Sequence, residues 1–186
     1  MFFRNHIEDL IDYSLIRYKS YYCGDNLKLY GKYSTEDVMM VLNWSSRELP
    51  LNIGGYYEKD DECAIFVTYE KNDNRSESTR YPDAFIDRKY FKWMSRSKKD
   101  LSSNELQSFL NCKDNNVNFH LFIQKSKKDD DYYYIGKVTP EDPQQTTIPG
   151  KNGIDLSIVQ FKLKLDNLID EDLYNYFITT IYEDVE

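Results

Sequence analysis

This chain is poor in the residues that most chemistry needs. It has two histidines, His6 and His120, and three cysteines, Cys23, Cys63 and Cys112, in 186 residues. No C-x-x-C occurs and neither histidine stands at metal-ligand spacing from a cysteine, so a zinc site is not indicated. An odd, widely spaced set of thiols does not make a disulfide framework and reads as reduced, mostly buried cysteine. No G-x-x-x-x-G-K-[ST] phosphate loop and no G-x-S-x-G nucleophile elbow is present. Gly54-Gly55 stands alone and reads as a turn or strand break. Asp129-Asp130-Asp131 lacks the glycine and terminal glutamate of a calcium loop and reads as a solvated hairpin tip. No apolar run approaches the roughly 18 residues of a membrane span. Met1 to Asp9 carries Arg4, Glu8 and Asp9 and lacks a signal-peptide core. With no nucleophile–base pair singled out, the reading is a cytoplasmic, non-enzymatic chain without catalytic residues, metal or cofactor.

What is present is aromatic and charged. The aromatic share is 16%, with 17 Tyr, and the hydrophobic share is 40%, enough for one domain with a real core. Tyrosine favours strands and half-buried surfaces. The formal net charge is −8, yet between Arg75 and Lys99 eight Lys/Arg face three Asp/Glu. A net-acidic protein does not bind polyanions generically, so any nucleic-acid contact must sit on one focused face. Phe91-Lys92-Trp93-Met94-Ser95-Arg96 lies inside that basic stretch and puts ring faces beside cations. From Asp166 to Glu186 the chain holds seven acids and no base.

Periodicity divides the chain into elements. Ile7, Leu10, Ile11, Leu15, Tyr18 and Tyr22 recur at helical spacing, predicting a helix over 6–22. Ser34-x-x-Asp37 predicts a capped helix over 35–43 with Val38, Val41 and Leu42 inward and Tyr33 stapled onto Val38. Period-two alternation predicts strands over 63–70, 90–96, 118–125, 132–138 and 158–165, each with one packed and one wet face. Residues 127–131 read as a hairpin turn, Ser102-x-x-Glu105 as a capping box, and 171–182 as a terminal helix with Leu173, Tyr176, Phe177 and Ile181 on one face. The expected architecture is a single α+β domain over 1–186, built on a curved sheet or small β-barrel. It comprises a helical lead-in over 1–45, a core over 46–165 and a C-terminal helix over 166–186.

A set of motifs in fixed order carries a family resemblance. They are Gly54-Gly55-Tyr56, Ile65-Phe66-Val67-Thr68-Tyr69, Glu77-Ser78-Thr79-Arg80-Tyr81-x-Asp83-x-Phe85, Phe91-x-Trp93-x-Ser95-Arg96, Tyr133 to Pro140, Gln145-Thr146-Thr147 and Leu173-Tyr174-x-Tyr176. The chain from about Leu29 to Phe177 resembles the C-terminal domain of bacterial proteins that carry a phospholipase-D-type nuclease and a superfamily-2 helicase, the SauUSI-like modification-dependent restriction enzymes. No nuclease or helicase segment stands in this sequence. The resemblance implies a target-recognition role, reading modified cytosine (5-methylcytosine or 5-hydroxymethylcytosine) in double-stranded DNA, with nuclease and helicase partners in cis or in trans. By analogy it implies a PUA/SRA-like barrel.

A reader that flips its base needs a ring to stack on, polar groups for the base edge and a recess for the methyl. Stacking is worth ~1–3 kcal/mol per base, whereas one buried methyl adds only ~0.8 kcal/mol, so steric fit must supply the rest of the discrimination. Trp93, Tyr81 and Tyr57 are the ring candidates, and Ser95 and Asp83 the base-edge candidates. Arg80, Lys92, Arg96, Lys98 and Lys99 are candidates for the DNA backbone. Each has a structural alternative: an indole alternating with Phe91 is more often core than binding surface. The rival function is a protein-interaction or regulatory module of a nuclease–helicase that does not touch DNA.

Overall fold

The computed structural model describes residues 6–14, 22–23, 26–44, 55–70, 83–150 and 154–179. A helix, α1, covers 6–14. Strands β1 (Tyr22–Cys23) and β2 (Asn26–Leu27) pair with each other. The main sheet is built from β3 (Lys32–Tyr33), β4 (Tyr56–Lys59), β5 (Glu62–Thr68), β6 (Ala84–Phe85), β7 (Tyr90–Met94), β8 (Asn118–Gln124), β9 (Tyr132–Ile148) and β10 (Leu156–Leu165). Its order is β4-β5-β8-β9-β10-β7-β6, with β3 on the start of β9. All pairings are antiparallel except β5 with β8. The class is α+β with an open curved sheet: among the described residues β4 and β6 end the hydrogen-bonded order, and the ladder does not close into a barrel. Curvature nonetheless brings the two ends together, since the Tyr56 ring of β4 meets the Trp93 ring of β7 at 5.3 Å.

Alternation places the core. Phe91 and Trp93 of β7, and Val159, Phe161, Leu163 and Leu165 of β10, enter one large cluster with Ile65, Val67, Phe119 and Leu121. The expectation of a wet opposite face fails for β5 and β8. Ala64, Phe66 and Phe122 are buried in a second cluster with Tyr33, Val38 and Tyr134. A strand covered on both faces reads as a near-continuous apolar run, and Cys63 to Val67 is one.

The strand β9 is far longer than its alternation indicated, because two bulges reset its phase. The first offsets Leu121↔Gly136 from Phe122↔Tyr134, leaving Ile135 as the extra residue and sending Tyr134 and Val138 to different clusters. Gly136 has φ +119, which a side chain rarely adopts. The second bulge lies between Gln160 and Lys162 of β10 and absorbs Asp142 at φ 52, followed by Pro143.

The helices are shorter than predicted. Of the span 6–22, α1 accounts for 6–14, Tyr22 is in β1, and 15–21 lies outside the described residues. Helix α2 (Thr35–Val41) has the predicted capping box, with Ser34 Oγ accepting from Asp37 N and Asp37 accepting from Ser34 N. Tyr33 and Val38 are fully buried together, Met39 is buried as well, and Val41 and Leu42 are half-buried. The capping box at Ser102 does not form. Asp100 takes the Ser102 and Ser103 hydroxyls, a 3-10 turn covers Asn104–Leu106, and α3 covers Gln107–Leu110. Helix α4 (Glu171–Ile178) is capped by Asp170 and buries Phe177; Ile181 lies outside the described residues. The hairpin over 127–131 joins β8 to β9 as expected.

His120 of β8 is buried between Tyr134, whose hydroxyl is 2.9 Å from Nδ1, and Glu62, whose carboxylate is 2.6 Å from Nε2. This suits the neutral ring, with Nε2–H donating to Glu62 and Nδ1 accepting from Tyr134. Burial pushes the imidazole pKa down, the Glu62 hydrogen bond and charge pull it back, the Lys137 charge lowers it, and it ends below 6.5. The unfolded chain therefore takes up this proton first. Its contribution to stability is complete above about pH 6.5 and is lost as pH falls toward the folded pKa. Urea midpoints should fall between pH 7.5 and 6, and His120→Gln should flatten that slope. An equal slope in the variant would assign the titration to another group.

Candidate functional site

Where the sheet ends approach, a cleft of about 490 Å³ opens, lined by Tyr56, Tyr57 and Glu58 of β4, by Arg96 beyond β7, and by Glu105 and Ser108 near the 104–110 turn. Glycine at 55, with φ +89, turns the chain into β4. The floor is built in layers. Phe109 stacks on Trp93 at 5.1 Å, and Tyr56 meets both edge-on. The Tyr56 hydroxyl donates to Glu105, and Arg96 donates to the Tyr56 carbonyl while its guanidinium lies 4.2 Å over the Tyr56 ring. Lys99 Nζ stands 2.7 Å and Arg96 3.9 Å from the Glu105 carboxylate. Glu58 accepts from the Ser108 hydroxyl.

Electrostatics fix the protonation of this network. Partial burial pushes the Glu105 carboxyl up, but the hydrogen bonds from Lys99 and Tyr56 and the charges of Lys99 and Arg96 outweigh it, leaving it below the usual range and ionised. Burial, with the Glu105 hydrogen bond and charge, pushes the Tyr56 phenol far up, so it remains a donor. The Tyr57 ring turns to the other face of β4, 5.2 Å from the Trp44 ring in the second cluster, so the cleft offers two carboxylates and one guanidinium beside the Tyr56 wall.

The sequence candidates separate. Tyr57 and Arg96 line the cleft. Trp93 does not: at 2% exposure, wedged among Tyr56, Phe109 and Phe161, it has no free face and supports the floor from behind. Ser95 is 1% exposed; its hydroxyl donates to the Arg96 carbonyl and accepts from Val159 N, pinning the end of β7 to β10. Asp83 accepts from Met94 N and orders the approach to β6. Lys99 is held by Glu105, and Lys98 is exposed at φ 65. Lys92 lies on the opposite face of β7 from Trp93, away from the cleft. Arg80 and Tyr81 lie outside the described residues. The basic stretch is therefore not one rim: part of it neutralises Glu105 and part faces the other way.

Tyr56, Glu58 and Glu105 were missed as site residues. Tyr56 follows Gly54-Gly55 in one of the ordered motifs, which was its available signal; Glu105 is 49 positions away, and only the fold joins the two. Among the described residues no group of three or more His, Cys, Asp or Glu gathers to hold a metal, and no helix is long and apolar enough to cross a membrane.

Three solved structures are similar to this chain. Arabidopsis thaliana SUVH6 in complex with SAM aligns at 14% identity and TM-score 0.47, covering 78% of this chain and 27% of that one. KRYPTONITE in complex with mCHH DNA, H3(1-15) peptide and SAH aligns at 15% identity and TM-score 0.46, covering 95% and 39%. KRYPTONITE in complex with mCHG DNA and SAH aligns at 17% identity and TM-score 0.35, covering 78% and 28%. The chain thus spans well under half the length of these structures. No curated protein matches the sequence. The model of the domain of unknown function DUF3427 matches residues 27–177, and on that match over most of its length the chain belongs to the DUF3427 family.

Proposed function

We propose that this chain is a DNA-binding target-recognition module. It takes a modified cytosine, 5-methylcytosine or 5-hydroxymethylcytosine, out of the duplex and into the cleft at Tyr56, Tyr57, Arg96 and Glu105. In this reading it is a non-catalytic, cytoplasmic part of a modification-dependent restriction or phage-defence system. A nuclease and a helicase of the SauUSI-like kind act with it in cis or in trans.

The cleft is the observation that carries the reading. Its volume of about 490 Å³ is of the size that takes a small ligand. Glu58 and Glu105 stand against Arg96 and Lys99, a balance that draws no phosphate into the cleft, while the carboxylates can accept from the exocyclic amine that cytosine presents. The Arg96 guanidinium, 4.2 Å over the Tyr56 ring, supplies a flat face for stacking, and Trp93 and Phe109 hold the Tyr56 wall rigid. Rigidity matters because methyl burial alone is worth too little to discriminate, so the recess must reject by shape.

Fluorescence anisotropy with duplexes carrying one 5-methylcytosine, one 5-hydroxymethylcytosine or none should show tighter binding of the modified ones. Arg96→Ala should cost ~1–3 kcal/mol, roughly 5- to 150-fold, on the modified duplex. Equal affinity for all three duplexes would sink the reading. The alternative, a protein-interaction module without direct DNA contact, is favoured by α1, which exposes Ile7, Leu10 and Ile11. No binding of any duplex at low salt is its expected result.

A further inference from the structure

We infer that the outer face of β7, β10 and the β10-paired half of β9 is a docking surface for the phosphate backbone of duplex DNA, separate from the cleft. The inference rests on the reading that this domain binds DNA, and it adds where the duplex lies.

The register puts Lys92 of β7 directly opposite Lys162 of β10. Their neighbours Trp93, Phe91, Phe161 and Leu163 point into the core, so both lysines point outward on one face. Like charges directly opposed across a ladder destabilise the sheet. Neither lysine pairs with a carboxylate among the described residues, in a chain that carries 32 Asp and Glu. Lys162 instead lies 4.1 Å over the Tyr90 ring. Glu141 of β9, directly opposite Lys162 in the ladder, is 3.8 Å from Lys164 on the same face, so three lysines share the one carboxylate that the paired strands supply there. Three lysines against one carboxylate leave this face positive in an acidic protein, which fits an external polyanion.

The partner's repeat agrees with this geometry. An antiparallel strand rises about 3.4 Å per residue, and each strand of B-DNA carries one phosphate per about 3.4 Å of axis, so Lys162 and Lys164 step in pace with a duplex lying along β10. Toward the hairpin tip the face continues with Gln160 opposite Gln144, side chains able to donate and accept at phosphate and base edges, and then closes over the buried cluster of Met94, Ile148 and Ile158. In that same direction Met94 of β7 lies opposite Gln160, two residues before Arg96 of the cleft, a span of about 7 Å at most. A duplex on this face would therefore have a nucleotide within reach of the cleft. The motif Gln145-Thr146-Thr147, which the cleft does not use, falls on the exposed part of β9.

The test is the salt dependence of duplex binding by the full chain, with Lys92→Gln/Lys162→Gln against wild type and Lys92→Arg/Lys162→Arg. Removing two phosphate contacts should reduce the slope of log K against log salt by about 1.8, whereas the arginine pair should keep it. The thermal midpoint of the glutamine pair should hold or rise, because a repulsion has gone. If wild type binds and the glutamine pair keeps its slope, this face is not the docking surface and the cleft reading stands. If wild type holds no duplex at low salt, the DNA reading fails and this inference with it. If polyglutamate binds wild type as tightly as duplex does and shows the same loss, the face serves acidic protein and the nucleic-acid assignment is overturned.

Discussion

Replacing Trp93 by alanine should destabilise the whole domain rather than blunt a binding site. The indole is 2% exposed and packs against Tyr56, Phe109 and Phe161 at centroid distances of 5.3, 5.1 and 5.8 Å. Truncating a buried aromatic of this size costs about 3–5 kcal/mol, a large part of the ~5–15 kcal/mol that holds a typical domain together. The loss should show as a urea midpoint displaced far below wild type at unchanged slope. Trp93→Phe keeps a ring in the same layer and should lose much less. On that variant modified-duplex affinity should stay near wild type, because the residue supports the cleft from behind. A Trp93→Phe protein of full stability but without DNA binding would mean that the indole reads the base after all.

The same residue shows what was legible in the sequence. Alternation put Phe91 and Trp93 on one face of one strand, and they share one face in the core. Local patterns located all five predicted strands, the Ser34 cap and the 127–131 hairpin, because each depends on residues close in the chain. The β9 bulges were not legible: each depends on how a partner strand is offset, and Gly136 and Asp142 acquire meaning only against Leu121 and Gln160. The short strands β3, β4 and β6 have two to four residues, too few for a period to register. The cleft failed for a related reason. Charge counting found the right neighbourhood, Arg96 and Lys99, but not that Glu105, from a separate turn, neutralises them. The ring that caught attention, Trp93, lies one layer beneath the ring that lines the cleft, Tyr56.

Lys125→Met should be the other severe substitution, through electrostatics rather than packing. Lys125 is 3% exposed, just past β8, at the position where the predicted 118–125 alternation continues the packed face of Phe119, Leu121 and Ile123. Its ammonium donates to the carbonyls of Tyr176 and, at 2.6 Å, of Thr179, at the end of α4. It also stands 3.5 Å from Glu70 and 4.7 Å over the Tyr176 ring. A helix end leaves carbonyls without intrahelical donors and carries partial negative charge. Helix α4 has no basic residue of its own in the last turn, so the sheet supplies the cation. Methionine fills a similar volume but leaves those carbonyls and the Glu70 carboxylate without their buried partner, a change that costs about 3–5 kcal/mol. The consequence should be local first. Phe177 packs against Tyr69, Phe85 and Tyr133, and α4 brings it there. Hydrogen exchange in Lys125→Met should accelerate in α4 before it does in β5 or β8. Uniform acceleration across sheet and helix together would mean that α4 is not held chiefly by this lysine, and an unchanged urea midpoint would mean that the ammonium is not a structural cap.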